Sequence, residues 1–374
     1  MTSQNPSSVA YLMTSRISLP EEYVHYMDGL VRDNERRLAP LVRALSDRYV
    51  GKSTPNTPPL RATSAWRTAY TYYYGPVNAL KLQAIAVELA LRDPAWPGKH
   101  TLRLLDLGAG PGSATAGILL WNPSLELDSV WVDADPAWDG FALVQPWIDT
   151  GALRVRRDTR DLATEIQGSF DLVLAANVVT EMQADVHARA ARLDRLFTRA
   201  LAPGGTAIIV EPALRQTTRD LHTLRDRMLA AGWHVLAPCT GRGPCPMLAN
   251  DRDWCHETRD WIQPDFHHRL DQLAGLEKDA LRFSFLAISR TPAPATSPCA
   301  ARIVSEIRRQ KGRIRLATCD EHSRLAAWEI QQRDVRANRE FRSTVEALRR
   351  GSLVCPPHDR GGRLDPTDTF RRLL

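Results

Sequence analysis

The chain has 374 residues and a formal net charge of +6, with 43% apolar and 25% charged residues. That balance is ordinary for a globular protein and excludes a fibrous or low-complexity chain. No run of about 18 or more apolar residues occurs, which excludes a membrane-spanning helix.

The location of the charge is more informative than its size. From Arg302 onward there are 17 Lys+Arg and 10 Asp+Glu, which leaves 32 of the 49 basic and 33 of the 43 acidic residues for everything before it. The whole excess sits in the C-terminal fifth. A basic terminal region on a neutral domain points to a polyanionic partner, or else to a solvated Arg-rich helix surface. Up to about Leu19 the chain is rich in Ser and Thr and has no acid and no apolar segment. It reads as a frayed tail rather than a secretory signal, and its one arginine, Arg16, is thin support for an organelle transit peptide. Six cysteines without a secretion signal argue against a disulfide framework and for a metal or cluster if the spacing allows one.

In chain order, residues 1–95 read as a helical region. Apolar residues recur at helical spacing from Glu21 to Arg48 (Val24, Met27, Leu30, Val31, then Leu38, Leu41, Val42, Leu45). A loop rich in Pro, Gly, Ser and Thr follows at Gly51–Pro59, then a second helical stretch from Tyr72 to Leu91 that closes at Asp93-Pro94. From residue 96 to 290 short apolar runs alternate with helical segments. The expected strands are Arg103–Leu107, Val130–Val132, Leu153–Val155, Asp171–Ala175, Thr206–Val210, Trp233–Ala237 and Arg282–Ile288. This alternation predicts an α/β domain with a parallel sheet covered on both faces. Pro292–Pro298 reads as a linker, and residues 291–374 as a basic C-terminal region.

The first expected strand runs into Asp106-Leu107-Gly108-Ala109-Gly110-Pro111-Gly112. Glycines here let the backbone approach a ligand and aim the N–H groups of the next helix at it. Asp133 ends the next strand, where an acid takes ribose hydroxyls, and Asp135 is its alternative. Asp158 or Asp161, after the third strand, reads equally as lying near an adenine or as a surface acid, and the fourth strand runs into Ala176-Asn177. Asp171 reads equally as a site residue or a structural acid. Order and spacing resemble the class I S-adenosylmethionine (SAM)-dependent methyltransferase fold, a Rossmann-like parallel sheet ending in an antiparallel strand pair. The resemblance implies that the glycine turn holds the amino-acid part of SAM, the acid after the second strand its ribose, and strand four the residues facing the methyl group; the expected SAM-binding residues are Asp106, Gly108, Gly110, Gly112, Asp133, Asp158 and Asn177. A dinucleotide is the weaker reading, because Ser113 stands where the third glycine of G-x-G-x-x-G belongs.

Cys239, Cys245 and Cys255 fall in a Pro/Gly-rich insertion at residues 238–256. Thiolates in such a loop suit zinc or an iron–sulfur cluster, and the spacing does not choose between them. A fourth ligand is open among His256, Cys299, Cys319 and Cys355. The spacing is too wide for radical-SAM chemistry.

Residues 211–247, with Glu211-Pro212-Ala213, a helix rich in R-D-x-L, and Ala237-Pro238-Cys239 to Cys245-Pro246-Met247, carry a closer resemblance. So do Trp254-Cys255-His256 to Arg259, Phe283-Ser284-Phe285-Leu286, and Lys311-Gly312-Arg313-Ile314 leading to Cys319. Over residues 65–335 the chain resembles the methyltransferase-like small ribosomal subunit family, the mitochondrial small-subunit assembly factor and its bacterial relatives. The resemblance implies a [4Fe-4S] cluster on Cys239, Cys245, Cys255 and Cys319, with Cys299 and Cys355 left out. It also implies small-subunit ribosomal RNA as the partner. A cytoplasmic location (mitochondrial if eukaryotic) is the default expectation, because no convincing targeting segment is read, and the chain is expected to act as a monomer. Two departures stand out: Asp133 where the family commonly has Glu, and Arg349-Arg350-Gly351-Ser352 where it often has a W-G element.

Turnover is a separate question. The N/D-P-P-[FY] element of many nucleic-acid N-methyltransferases is replaced by Ala176-Asn177-Val178-Val179-Thr180-Glu181. Asn177 and Glu181 lie at the right end of the sheet to touch SAM or substrate, or simply to close the pocket or cap the next helix, and no catalytic residue is assigned. The readings carried forward are an rRNA methyltransferase, a SAM-binding, cluster-containing assembly factor, and a small-molecule methyltransferase with a zinc-stabilised loop.

Overall fold

A computed structural model describes residues 16–49, 63–138, 140–160, 166, 168–182, 184–292, 294, 299–337, 339–356 and 371–372. The expected loop at 51–59, Asp161 and most of the 292–298 linker lie outside the described residues.

The chain opens with helices α1 (Glu21–Val31), α2 (Glu35–Tyr49) and α3 (Ser64–Arg92). Thr63 caps α3 by accepting from Trp66 N, and the helix ends before Asp93-Pro94. A strand-and-helix alternation follows: β1 (Thr101–Leu107), α4 (Ser113–Trp121), β2 (Glu126–Asp133), α5 (Gln145–Asp149), β3 (Leu153–Thr159), β4 (Phe170–Ala176), α6 (Val186–Ala200), β5 (Leu201–Pro212) and α7 (Arg215–Ala230). Then come β6 (His234–Ala237), β7 (Glu257–Asp260), α8 (Asp265–Ala274) and β8 (Ala280–Ser289). The sheet order is β3-β2-β1-β4-β5-β8-β6, with β7 also on β8. Strands β1 to β5 pair in parallel, and β8 runs antiparallel to β5, β6 and β7. This is the expected α/β architecture with its antiparallel terminus.

Each parallel strand is apolar on successive residues because both faces are covered. Leu104, Leu127, Leu172 and Ile208 face α3 and α4, whereas Leu105, Val130, Val173 and Ala207 face α6 and α7. The N-terminal helices share the first of these cores: Met27, Leu38 and Leu45 pack into it and are fully buried. Helices α3 and α4 touch at Gly117, where an added Cβ would stand 2.3 Å from the Ala79 carbonyl oxygen. Gly117→Ala is therefore expected to cost about 1–3 kcal/mol by forcing two packed backbones apart. Urea denaturation reads this as a lower midpoint at unchanged slope.

The C-terminal region departs from the Arg-rich helical surface weighed for it. It forms a second, antiparallel sheet: β9 (Ala301–Ile303), β10 (Arg308–Gln310), β11 (Arg313–Asp320), β12 (Leu325–Gln331), β13 (Leu353–Cys355) and β14 (Arg371–Arg372). Helices α9 (Gln332–Ala337) and α10 (Arg339–Ala347) complete it. Along β11, Arg313 and Arg315 point to solvent while Ile314 and Leu316 join a core with Trp328, Ile330 and Phe341. The basic residues are thus the outward half of a period-two strand. The argument against disulfides is corrected at one pair: Cys299 and Cys355 are bonded, joining the entry to β9 with the end of β13. Among the described residues, no helix is long and apolar enough to cross a membrane.

Candidate functional site

The turn after β1 needs glycine for two physical reasons. Gly108, Gly110 and Gly112 all adopt positive φ, at 65°, 51° and 83°. Two of them also carry neighbours where a Cβ would go: Val178 at 2.5 Å from Gly108 and the buried Trp131 ring at 2.0 Å from Gly112. Gly112 leads directly into α4. The Gly110 amide donates to Asp133 Oδ2 at 2.9 Å, and Asp133 Oδ1 accepts from Asp135 N at 2.9 Å. Asp106, at the end of β1, is buried and accepts from Thr115 N and Oγ1 at 3.3 and 2.7 Å. Burial, and then the neighbouring Asp133 charge, pushes the Asp106 carboxyl up to about 7 despite those hydrogen bonds.

Part of this turn, with Asp106 and Asp133, lines a cavity of about 510 Å³ at the C-terminal ends of the parallel strands, where open α/β sheets bind ligands. Asp106, Gly108, Gly110, Asp133 and Asn177 contribute to its wall, and Glu181 joins them. Gly112 sits behind the turn as the α4 cap. Asp158 is not in the wall and pairs instead with Arg160 at 2.6 Å. Asp135 pairs with Arg67 at 3.6 Å, and Asp171 accepts from Lys99 Nζ and Arg103 N, a structural role. Asn177 has φ 57° and donates its N–H to Val210 O, so the chain turns sharply at the cavity rim.

The second predicted site hangs from β8. Ala237, at the end of β6, pairs with Ala287, and Glu257, at the start of β7, pairs with Phe283. The insertion between them therefore leaves and rejoins the same strand edge four residues apart, with Cys239 at one foot and Cys255 at the other. Its far side rests on the second sheet: Thr240 Oγ1 donates to Cys319 O at 3.4 Å, and Ser323 Oγ to Gly243 O at 3.2 Å. Cys239, Cys245, Cys255 and Cys319, all free thiols, line one cavity of about 50 Å³. Burial, then repulsion from Cys239, pushes Cys245 and Cys319 up to about 12, and Cys255 is also raised. The thiols stand around this cavity without converging on one point: among the described residues, no group of three or more His, Cys, Asp or Glu is gathered for a metal ion.

Arginines shape the loop. Arg92 donates to the carbonyls of Leu236, Pro238 and Cys239, and Arg225 to Gly241 and Gly243. Arg219 reaches Met247, Asn250 and Asp253 at 2.9, 2.8 and 2.7 Å. Asp226 accepts from Cys245 N, and His222 Nε2 lies 3.2 Å from Cys255 O. Arg219, His222, Arg225 and Asp226 all project from one side of α7, at the helical spacing that puts them on one face.

A family model described as "Mitochondrial small ribosomal subunit Rsm22" matches residues 64–344, which include the glycine turn, the insertion and Cys319. The chain belongs to the Rsm22 family. Among solved structures it is similar to a SAM-bound magnesium protoporphyrin IX methyltransferase from Synechocystis, at 16% identity, 67% of this chain, 97% of that one and a TM-score of 0.35. It is also similar to a TehB-like SAM-dependent methyltransferase from Corynebacterium glutamicum, at 22% identity, 40% of this chain, 73% of that one and a TM-score of 0.28. No curated protein sequence matches the chain.

Two features of this Rsm22-family site escaped the sequence reading. Glu211, the acid of the Glu-Pro-Ala motif, is buried and accepts from Val179 N and Thr180 Oγ1, both at 2.9 Å. It fixes the turn after Asn177, and burial pushes its carboxyl up to about 7. Glu88 of α3 and Glu257 of β7 enclose the Arg302 guanidinium of β9, with Arg92 and Arg259 beside them. This buried network joins the N-terminal helices, the first sheet and the second sheet just behind Cys239.

Proposed function

We propose that this protein binds SAM in the strand-end cavity and acts on small-subunit ribosomal RNA, as a methyltransferase or as an assembly factor of the small ribosomal subunit. The observation that carries the reading is family membership across residues 64–344 of a chain whose cavity is walled by the glycine turn, Asp106 and Asp133. Asp133 suits the ribose hydroxyls, and an ionised Asp106 suits the cationic methionine end. The exposed Arg308, Lys311, Arg313 and Arg315 of the β10–β11 hairpin suit RNA phosphates.

We further propose a [4Fe-4S] cluster on Cys239, Cys245, Cys255 and Cys319. The donor set fits: four free thiols, one small cavity between them, and arginines behind it to offset thiolate charge. A single zinc ion fits less well, because tetrahedral zinc holds every sulfur at about 2.3 Å from one point. Such a centre would tie the insertion to β11 and so staple the second sheet to the first. The expected state is a monomer.

The test is anaerobic purification with iron and zinc analysis, SAM titration by calorimetry, and co-sedimentation with small ribosomal subunits. The expected result is a brown protein with about four irons per chain, SAM binding and subunit association, with iron lost in Cys239→Ser. A colourless protein with one zinc overturns the cluster. Absence of both SAM and subunit binding overturns the function.

A further inference from the structure

The strand-end cavity is lined by two chemically different sets of side chains. The acids Asp106 and Asp133 stand at the C-terminal ends of β1 and β2, and Glu181 follows β4. The same cavity takes the rings of Tyr49, Tyr70 and Tyr74 from α2 and α3, and Lys81 from α3, Lys278 from the approach to β8 and Arg282 from β8 itself. The tyrosines form one cluster: Tyr70 stacks on Tyr74 at 5.6 Å between centroids, and Tyr49 meets Tyr74 edge-on at 5.1 Å. Lys278 Nζ lies 5.7 Å from the Tyr74 ring centroid, and Arg282 is exposed beside it, paired with Asp279.

Lys81 is the unusual member. Its side chain is buried, at 9% exposure, and among the described residues Asn78 Oδ1, at 2.9 Å, is its one hydrogen-bond partner. Asn78 in turn donates to Tyr70 Oη at 3.2 Å. Among the described residues no carboxylate pairs with the amine, although an ammonium has three N–H donors to place. Burial, then the Lys278 charge, pushes Lys81 down to about 7. An unpaired buried amine is costly unless something supplies acceptors, and the space in front of this one is the cavity.

Basic groups interleaved with aromatic faces take a planar, phosphate-bearing ligand. We propose that this half of the cavity is a nucleotide-acceptor subsite: one unstacked RNA base lies against Tyr49, Tyr70 and Tyr74, Lys81 donates to an oxygen or ring nitrogen on its edge, and its phosphate sits at Lys278 and Arg282. The proposal rests on the reading above that the protein works on RNA. SAM occupies the acidic half, so base and cofactor meet near Asn177 and Glu181. Glu181 and Asp133 border the tyrosines: the Glu181 charge is felt by both Tyr49 and Tyr70, and the Asp133 charge by Tyr70.

The full chain is titrated with nucleoside 5′-monophosphates and with a single-stranded RNA carrying 2-aminopurine, whose fluorescence reports stacking. SAM affinity is measured in parallel by calorimetry. The expected result is that RNA and mononucleotide both bind, that the probe is quenched, and that Lys81→Met weakens both by about tenfold or more while SAM affinity stays within about twofold. Tyr74→Leu, a second and independent variant, is expected to abolish most of the quenching. A wild-type protein that binds SAM but quenches no probe overturns the subsite. Binding of free mononucleotides without RNA overturns it in favour of a small-molecule acceptor. Loss of SAM affinity in Lys81→Met overturns it by assigning the amine to the SAM carboxylate. A protein that binds the probe in a Lys81-dependent way but binds no SAM would support the subsite and sink the SAM reading alone.

Discussion

Replacing Arg302 with leucine is expected to destabilise the protein by about 3–5 kcal/mol, the usual cost of removing one partner from a buried ion pair. The guanidinium is 4% exposed and donates to Glu88 at 2.6 and 3.0 Å, to Glu257 at 2.9 Å and to Pro238 O at 3.1 Å. Leucine restores apolar contact but leaves two buried carboxylates with fewer cations and a loop carbonyl without its donor. Arg302→Lys should recover only part of the loss, because one ammonium cannot reproduce a fork that serves two carboxylates. The acid limb carries the same signature. Burial pushes the Glu88 carboxyl up, but Arg302 and Arg92 overcome this and hold it at about 2, below its ordinary 4.5. A lowered carboxyl stabilises the fold above pH 4.5 and loses that contribution as pH falls through 4.5 toward 2. In Arg302→Leu the acid unfolding midpoint should therefore rise. Urea and pH titrations followed by circular dichroism read both effects. A cost below about 1 kcal/mol would mean that the network is relaxed or hydrated and does not join the two sheets.

The parts legible in the sequence are those where one residue type answers to one local force. Leu104-Leu105 and Val130-Trp131-Val132 read as strands because both sheet faces bury them, and the glycines of 108–112 read as a turn because left-handed backbone and close neighbours demand them. The insertion's cysteines read as a set because the loop is otherwise Pro, Gly and polar residues. What stayed hidden depends on long-range contact. Strands β9, β10 and β13 are three residues each, too short to show a period, and on β11 the alternation Arg-Ile-Arg-Leu registers as charge before it registers as a strand. The Cys299–Cys355 bond depends on β13 lying beside β9, a pairing no local pattern announces. The loop's true support is equally non-local. The insertion could not hold its shape by apolar burial alone, as its composition implies, but its carbonyls are gathered by arginines from α3 and α7, and a surface arginine and a loop-holding arginine look alike in a sequence. Lys81 and the tyrosines of α3 fall inside a helix buried on most sides, where periodicity gives no hint of which residues face a cavity.

Gly110→Arg is expected to abolish SAM binding while leaving the protein folded, and the choice of Gly110 over its neighbours makes this informative. At Gly112 a side chain would drive into the buried Trp131 ring, and at Gly108 into Val178, so either variant would lose ligand by losing the fold. At Gly110 the nearest group to an added Cβ is Trp138, at 3.7 Å, an ordinary contact, and the position opens into the cavity. The backbone cost is that of a non-glycine residue at φ 51°, roughly 1–2 kcal/mol. Arginine there would fill the space in front of Asp133, whose carboxylate holds the Gly110 amide, and would set a fixed positive charge where a sulfonium is expected to lie. Calorimetry should show no SAM heat at concentrations that saturate the wild type, with the melting temperature lowered by a few degrees. Unchanged affinity would remove SAM from this cavity. The same variant then divides the two forms of the proposed function. If it still associates with small ribosomal subunits and supports their assembly, SAM is dispensable to the scaffold role. If both are lost together, the cavity's occupancy is part of how the protein recognises its RNA.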